Sequence, residues 1–333
     1  MLSVIATVYN EGDAIHRLMQ SLCKQTRPPD EIVIVDGGST DNTVAIMNRY
    51  ANQLPLKVIV VPGANISEGR NRAVQAAHGD IIAITDAGVT LPDDWLEHIT
   101  APFDGDNPPD VVSGFFRADP HTVFEAAMGA TVLPLETEID PDTFLPSSRS
   151  VAVRREAFVA VGGYPEWLDY CEDLIFDLRL KETATFTFAP EACVAFRPRG
   201  SLSAFFKQYY LYARGDGKAD LWRKRHAIRY VTYLVAAPAL ILSALFISPW
   251  AWLLLIAGFV VYMRQPYRRL PTVLRGYRER QALSPVQVAY AIVLVPVIRV
   301  VGDVAKMIGY PVGWRWRLRE NPPDWRNLTE NLQ

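Results

Sequence analysis

The first ninety residues repeat one pattern four times, and that pattern limits the fold more than any other feature of the chain. A short apolar run rich in β-formers ends in polar residues, and a segment with helical spacing follows. The runs are Leu2 to Val8, Glu31 to Val35, Leu56 to Val61 and Ile81 to Thr85. Continuous apolar runs of this length read as strands buried on both faces. The helices between them read through Ile15, Leu18, Met19 and Leu22, then Val44, Ile46, Met47 and Tyr50, then Ser67 to Ala77. Strand and helix in alternation predict an α/β fold with a mostly parallel sheet and helices on both of its faces.

In such sheets ligands bind beyond the carboxyl ends of the strands. Three strands deliver polar residues to that edge: Thr7, Tyr9 and Glu11 from the first, Asp36 and Asp41 from the second, Asp86 from the fourth. Each has a plain structural reading beside the functional one. Asp36 and Asp86 are good turn formers, and Ser39, Thr40 or Asp41 can cap the following helix. The convergence of several such residues on one edge favours a ligand site. A carboxylate at the end of the Ile81–Thr85 run suits a divalent cation, which in turn suits a diphosphate, with Arg70 as a phosphate partner. A dinucleotide fold is disfavoured, since neither G-x-G-x-x-G nor a P-loop follows any of these strands.

The stretches Val4–Glu11, Val35–Thr43 and Gly69–Ala73 resemble those of the family 2 inverting glycosyltransferases of the GT-A fold. That resemblance covers residues 1 to about 215. It implies a nucleotide-sugar donor held by Thr7, Tyr9, Glu11 and Asp36, with Asp41 and Arg70 nearby, and a divalent metal (Mn2+ or Mg2+) at Asp86. The family's metal motif is Asp-x-Asp, whereas this chain reads Asp86-Ala87-Gly88.

Asp93 and Asp94 read as helix-start residues, and Val123 to Leu135 as a helix. Ser147 to Val153 reads as a strand, with Arg149, Arg154 and Arg155 as surface charges or, more weakly, contacts to an acceptor phosphate. Glu172-Asp173 opens a helix in which Leu174, Phe176, Leu178 and Leu180 are expected to pack, with the two acids complementing its dipole. The resemblance gives this pair the part of the family's Glu-Asp motif: Asp173 as the general base that deprotonates an acceptor hydroxyl, Glu172 orienting it or the acceptor. Cys171 reads as a packed small residue. Two short strands are expected at Phe186–Ala189 and Ala192–Phe196. Gln208 and Arg214, on an aromatic-rich helix, match loosely the family's diphosphate-holding Gln and Arg, and read equally as interfacial anchors.

Composition settles the rest. Residues 1 to 200 hold 15 Lys/Arg against 29 Asp/Glu, and residues 201 to 333 hold 19 against 7. An acidic first part joined to a basic, apolar second part suggests a soluble domain fastened to a membrane, and gives no reason to expect a nucleic-acid partner. Residues 227–247 are long enough to span a bilayer, 250–263 are short for it, and 285–301 read as an interfacial or re-entrant segment, with a full span as the alternative. Arg223, Lys224 and Arg225 before the hairpin, and Arg264, Arg268, Arg269, Arg275, Arg278 and Arg280 after it, predict that both its ends are cytoplasmic. Cys23, Cys171 and Cys193 form neither a disulfide framework nor a zinc pattern, which fits a reducing compartment. Met1 to Ile5 enters a strand without a basic leader, so no signal peptide is expected.

The expected organisation is therefore a catalytic domain over 1–200, an amphipathic connection over 201–226 and a membrane region over 227–333, multi-pass in the cell (inner) membrane. The expected activity moves a sugar from its nucleotide donor to a lipid-linked or cell-surface glycan acceptor. A nucleotidyltransferase would need a Gly-rich basic loop after the first strand, where this chain has Tyr9-Asn10-Glu11. A catalytically inactive membrane scaffold is the other alternative, and it would bind no nucleotide.

Overall fold

The computed structural model describes residues 1–279 and 281–327; Arg280, one of the charges expected to flank the hairpin, lies outside them. In chain order the regular elements of the first half are β1 (Leu2–Val8), α1 (Ile15–Cys23), β2 (Glu31–Asp36), α2 (Thr43–Asn48), β3 (Leu56–Val60), α3 (Ile66–Ala76), β4 (Ile81–Ile84), β5 (Val89–Thr90), α4 (Trp95–Thr100), β6 (Val111–Ala118) and α5 (Val123–Val132). Then come β7 (Val151–Arg154), α6 (Arg155–Ala160), α7 (Glu172–Thr183), β8 (Phe186–Phe196), α8 (Leu202–Lys218), α9 (Arg223–Val231), a π-helical turn (Thr232–Ala236), α10 (Ala237–Phe246), α11 (Ala251–Arg278) and α12 (Pro285–Glu320). They group into two compact units: 1–117 with 136–196 and the C-terminal segment from Pro322, and 118–135 with 197–321.

In the first unit the strands form one sheet in the order β3-β2-β1-β4-β7-β6-β8-β5. β1 pairs in parallel with β2 and β4, and β2 with β3, as the alternation predicts. Beyond β4 the sheet turns antiparallel: β7 runs against β4 and β6, and β5 against β8. The sheet is therefore mixed. Period-two alternation along the strands divides the core between its two faces. Leu2, Val4 and Ala6 of β1 and Ile32 and Ile34 of β2 meet α1, α2 and α4 on one face. Ile5, Val33, Val35, Ile82 and Ile84 meet α3, α6 and α7 on the other. Trp95 of α4 is wholly buried and its indole N–H donates to Ser150 Oγ at 2.9 Å, as a buried indole requires.

Two expectations change here. Phe186–Ala189 and Ala192–Phe196 form one strand, β8, because Pro190 lies within a run that otherwise keeps its extended pairing. In α7 the buried residues are Glu172, Ile175, Phe176, Asp177, Arg179 and Leu180, while Leu174 and Leu178 are only half-buried. Leu174, Phe176, Leu178 and Leu180 are two apart, a strand period, whereas a helix turning every 3.6 residues gathers 172, 175, 176 and 179 on one face.

The second unit is helical, with a core of α5, α8, α11 and α12 residues that includes Ala126, Phe205, Met263, Leu274, Leu294 and Ile298. Backbone comes close to backbone between α8 and α12. A Cβ on Gly309 would stand 2.2 Å from Tyr210 O, one on Gly313 1.9 Å from Arg214 O, and one on Gly217 2.3 Å from Tyr310 O. Only glycine tolerates such an approach. The segment from Trp250 does not stop at Met263: α11 runs on through its arginines to Arg278, with Pro266 and Pro271 inside it. Nor does the chain turn back within 285–301; α12 is one helix of 36 residues through Pro296 and Pro311, which removes the re-entrant reading. Two helical stretches, Arg223–Phe246 and Pro285–Glu320, are long and apolar enough to cross a membrane by length and composition.

Candidate active site

The carboxyl ends of β1 and β2 continue into loops that tie to each other. Asn10 takes a left-handed backbone (φ 52°), which places its amide to donate to Ser39 Oγ at 2.8 Å and its Oδ1 to accept the Thr40 amide at 2.9 Å. The Gly12 amide donates to Thr43 Oγ1 at 3.0 Å. Asp36 is fully buried; its Oδ1 accepts the amides of Gly38 and Ser39 at 2.9 and 2.7 Å and its Oδ2 the Ser39 hydroxyl at 2.5 Å. Asp36 thus shapes the turn, with Gly38 at φ 93° supplying a conformation that other residues rarely adopt. Asp41 is exposed, and its Oδ1 accepts the amide and the hydroxyl of Thr43 at 2.9 and 2.6 Å; these bonds hold its carboxyl below the usual range.

These loops wall a cleft of about 180 Å³ lined by Thr7, Tyr9 and Glu11 together with Gly37, Ala64, Asn65 and Gly69. Thr7 forms its floor against α3, where a Cβ on Gly69 would stand 2.8 Å from Thr7 Cγ2. Tyr9, 61% exposed, lines the opening beside Gly37. Aromatic face, hydroxyl and carboxylate around a shallow slot suit a nucleoside.

One residue after Gly69 the chemistry becomes ionic. Arg70 is 2% exposed, and its guanidinium forks between two carboxylates, NH1 to Glu172 Oε1 and NH2 to Asp86 Oδ1, both at 2.8 Å. Its carbon centre lies 5.0 Å from the centre of the Tyr164 ring, and Tyr164 in turn shares a hydrogen bond with Ser148 at 2.8 Å. Burial works against the Arg70 charge, but Asp86, Tyr164, Glu172 and Asp173 hold it firmly protonated. Arg149 approaches the other Asp86 oxygen, Nε to Oδ2 at 4.0 Å, with its guanidinium 4.4 and 5.2 Å from the ring centres of Phe196 and Phe116. It is no surface charge. Arg154 and Arg155 are structural: Arg154 Nε donates to Pro109 O, and Arg155 to Gly79 O and to Val74 O near the end of α3.

Glu172, Asp173 and Asp177 stack three acids on α7. Burial, then Asp173, pushes the Glu172 carboxyl up to about 7, with Arg70 opposing. Asp177, fully buried with an Oδ2 that has no hydrogen-bond partner, is pushed well up by burial and by Asp173. Asp173 itself is half-buried and accepts the Leu174 amide at 2.8 Å. Cys171 precedes the pair in the left-handed region, φ 66°. The fork therefore links the end of β4 to the start of α7, so Asp86 and the Glu172-Asp173 pair share one neighbourhood. Gln208 and Arg214 belong to the helical unit, on α8, where Gln208 Nε2 donates to Tyr212 Oη at 2.7 Å. Sequence reasoning missed Tyr164, Asp177 and the part played by Asn10, and weighed Arg149 only as a surface charge or a contact to an acceptor phosphate. Of these only Asn10, beside a strand end, had a local signal.

A divalent cation can be weighed against these residues. Among the described residues no three His, Cys, Asp or Glu side chains gather as a ligand set. Asp86 gives one oxygen to Arg70 and keeps Oδ2 outside hydrogen-bond reach of Arg149. A Cβ at Gly88 would meet nothing within 4 Å, so the place of a second acid is open space. One protein carboxylate completed by substrate phosphates and water is an ordinary donor set for Mg2+. The residues fit a cation shared with a diphosphate and not one caged by protein alone.

Residues 3–150 match the family described as Glycosyl transferase family 2. The chain is similar to the succinoglycan biosynthesis protein ExoA of Rhizobium meliloti (strain 1021), 29% identical over 303 residues that cover 81% of this chain and 89% of ExoA. It is 26% identical to the O-antigen chain rhamnosyltransferase WbaN of Salmonella anatum, over 61% of this chain and 70% of WbaN. Its fold is similar to that of the mannosyltransferase PcManGT from Pyrobaculum calidifontis, solved with GDP-Man and Mn2+, at a TM-score of 0.54 and 19% identity over 97% of this chain and 88% of that one.

Proposed function

We propose, from the premise that this chain is a family 2 glycosyltransferase with a GT-A fold, that it inverts a sugar in moving it from a nucleoside diphosphate to a lipid-linked or glycan acceptor at a membrane. The single observation that carries this reading is the Arg70 fork, which ties the candidate metal carboxylate Asp86 to Glu172, the acid beside the candidate base Asp173. The nucleoside is read into the cleft of Thr7, Tyr9 and Glu11, whose shape the loop hydrogen bonds of Asp36 and Asp41 fix. Asp86 would hold a divalent cation, which when bound neutralises the diphosphate. Arg149, close to Asp86, adds positive charge where the leaving diphosphate develops negative charge.

Asp173 takes the proton from the acceptor hydroxyl. That oxygen attacks the anomeric carbon as the bond to the diphosphate breaks on the opposite face, and one displacement inverts the configuration. Glu172, gripped by Arg70, holds the start of α7 in place. The acidic catalytic unit, the basic helical unit and the exposed apolar surfaces of α10 and the first half of α11 support a multi-pass anchor in the cell membrane with a cytoplasmic active site. ExoA and WbaN, by their names, work on succinoglycan and O-antigen, and an envelope glycan is the acceptor class in keeping with them. Purified protein should hydrolyse one nucleotide sugar slowly in a screen across sugars and bases, faster with Mn2+ or Mg2+. Inertness toward every donor, with no nucleotide binding, would leave the inactive scaffold instead.

A further inference from the structure

On one helix of the helical unit two half-buried cations flank a carboxylate that other groups already engage. On α12, Arg299, Asp303 and Lys306 follow at intervals of four and three, which sets them along one face. The Asp303 carboxylate is already engaged: it accepts Arg229 Nε at 2.8 Å, the Tyr233 hydroxyl at 3.3 Å and the Tyr262 hydroxyl. Lys306 Nζ stands 3.9 Å from it, beyond hydrogen-bond reach, and 4.9 Å from the centre of the Tyr209 ring. Arg299 pairs with no carboxylate among the described residues. Its guanidinium lies 4.8 Å from the centre of the Tyr262 ring, and its Nε is buried without a hydrogen bond. Asp216, whose charge also reaches Lys306, is engaged by His226 at 3.1 Å.

Beside this charged face α12 shows a different one. Val293, Val297, Val300, Val304, Ile308 and Val312 follow at three- and four-residue spacing, each at least 37% exposed, while Ala291, Leu294, Val295, Ile298 and Ala305 are buried. Val300 and Val304 directly follow Arg299 and Asp303 in sequence, so stripe and charges lie side by side. An exposed apolar stripe next to Arg299, which has no carboxylate partner among the described residues, and Lys306, which meets Asp303 only at 3.9 Å, matches one ligand chemistry, an anionic head joined to a long hydrocarbon.

We propose that Arg299 and Lys306 bind the phosphate of a polyprenyl-type lipid phosphate whose chain lies along the stripe through Val297, Val300, Val304 and Ile308. This deepens the proposed function by giving a lipid-linked acceptor its anchor, and it rests on that reading only for the lipid's part as acceptor. The test is titration of purified full-length protein in detergent micelles with a polyprenyl monophosphate, with the corresponding polyprenol, and with inorganic phosphate. The lipid phosphate should bind at least about tenfold more tightly than the alcohol. Arg299→Gln with Lys306→Gln should erase that difference, and Arg299→Lys with Lys306→Arg should retain most of it. Equal binding of phosphate and alcohol, a preference that survives in the Gln variant, or equal competition by inorganic phosphate would overturn the proposal. Independently of any variant, a polyprenyl phosphate with a photoreactive first isoprene should crosslink to α12 near Val300 and Val304, and crosslinks confined to other elements would overturn it as well. Neither measurement reads sugar transfer, so an absence of transfer bears on the proposed function alone.

Discussion

Replacing Arg70 by Met tests whether one buried guanidinium couples the strand end to the helix start. Arg70 is 2% exposed and gives one 2.8 Å hydrogen bond to each of two carboxylates. Hydrogen bonds to charged groups contribute about 1.5–3 kcal/mol each. Removing one partner of a buried ionic group, which strands Glu172 (8% exposed side chain) uncompensated, costs about 3–5 kcal/mol. The two routes agree on a loss of about 3–5 kcal/mol, or on the order of 10 °C in melting temperature for a unit of this size. The assay is denaturant unfolding followed by tryptophan fluorescence; Trp95 is buried in the first unit. Glu172→Gln in the same chain removes the buried carboxyl left without its partner, so the double variant should recover at least about 1 kcal/mol relative to the sum of the single changes. Arg70→Lys should not rescue, since one ammonium cannot fork between two carboxylates. A loss below about 1 kcal/mol for Arg70→Met, or strict additivity with Glu172→Gln, would refute the coupling.

Two further changes probe the donor side and the frame of the sheet. Gly88→Asp enters open space, so stability should change by less than about 0.5 kcal/mol, while divalent-cation affinity in the nucleotide complex should rise about tenfold by the added charge; calorimetric titration reads both, and an unchanged affinity would detach Asp86 from the cation. Glu31 bridges Ser3, His78 and Gly79: burial pushes its carboxyl up, but the amide of His78 and the other donors outweigh this and bring it down to about 2. A lowered folded-state value means stabilisation present above the ordinary carboxylate range, near 4.5, and lost as pH falls toward about 2. Glu31→Gln should cost about 2 kcal/mol at neutral pH and flatten that acid limb in melting experiments, and an unchanged limb would assign it to other groups.

The parallel half of the sheet was legible because buried strands announce themselves as unbroken apolar runs. The antiparallel half was not, since β7 and β6 are distant in sequence and their direction depends on pairings such as Val111 with Val153 that no local pattern encodes. At the site, the residues that end strands could be named in advance: Thr7, Tyr9, Glu11, Asp36 and Asp86. What the sequence could not tell is how each is used. The Asp36 carboxylate builds a turn, Asp86 is met by two arginines from distant parts of the chain, and Glu172, though at a helix start, is buried. Arg149 read as a surface charge of an expected strand or a contact to an acceptor phosphate, because its partners Phe116, Phe196 and Asp86 come from three separate parts of the chain. The long helices were legible as apolar stretches, but not their ends: α11 continues past its apolar part because residues such as Leu270 and Leu274 pack in the helical core.

The central claim is that Asp173 deprotonates the acceptor across a site whose donor half is assembled without it. Asp173→Asn keeps the shape and removes the base. Measured side by side, sugar transfer should fall by at least about a hundredfold, as loss of general base catalysis requires, while the dissociation constant for the nucleoside diphosphate stays within about twofold of wild type, a free-energy change of only about 0.4 kcal/mol. Transfer that persists near the wild-type rate in Asp173→Asn would contradict the account.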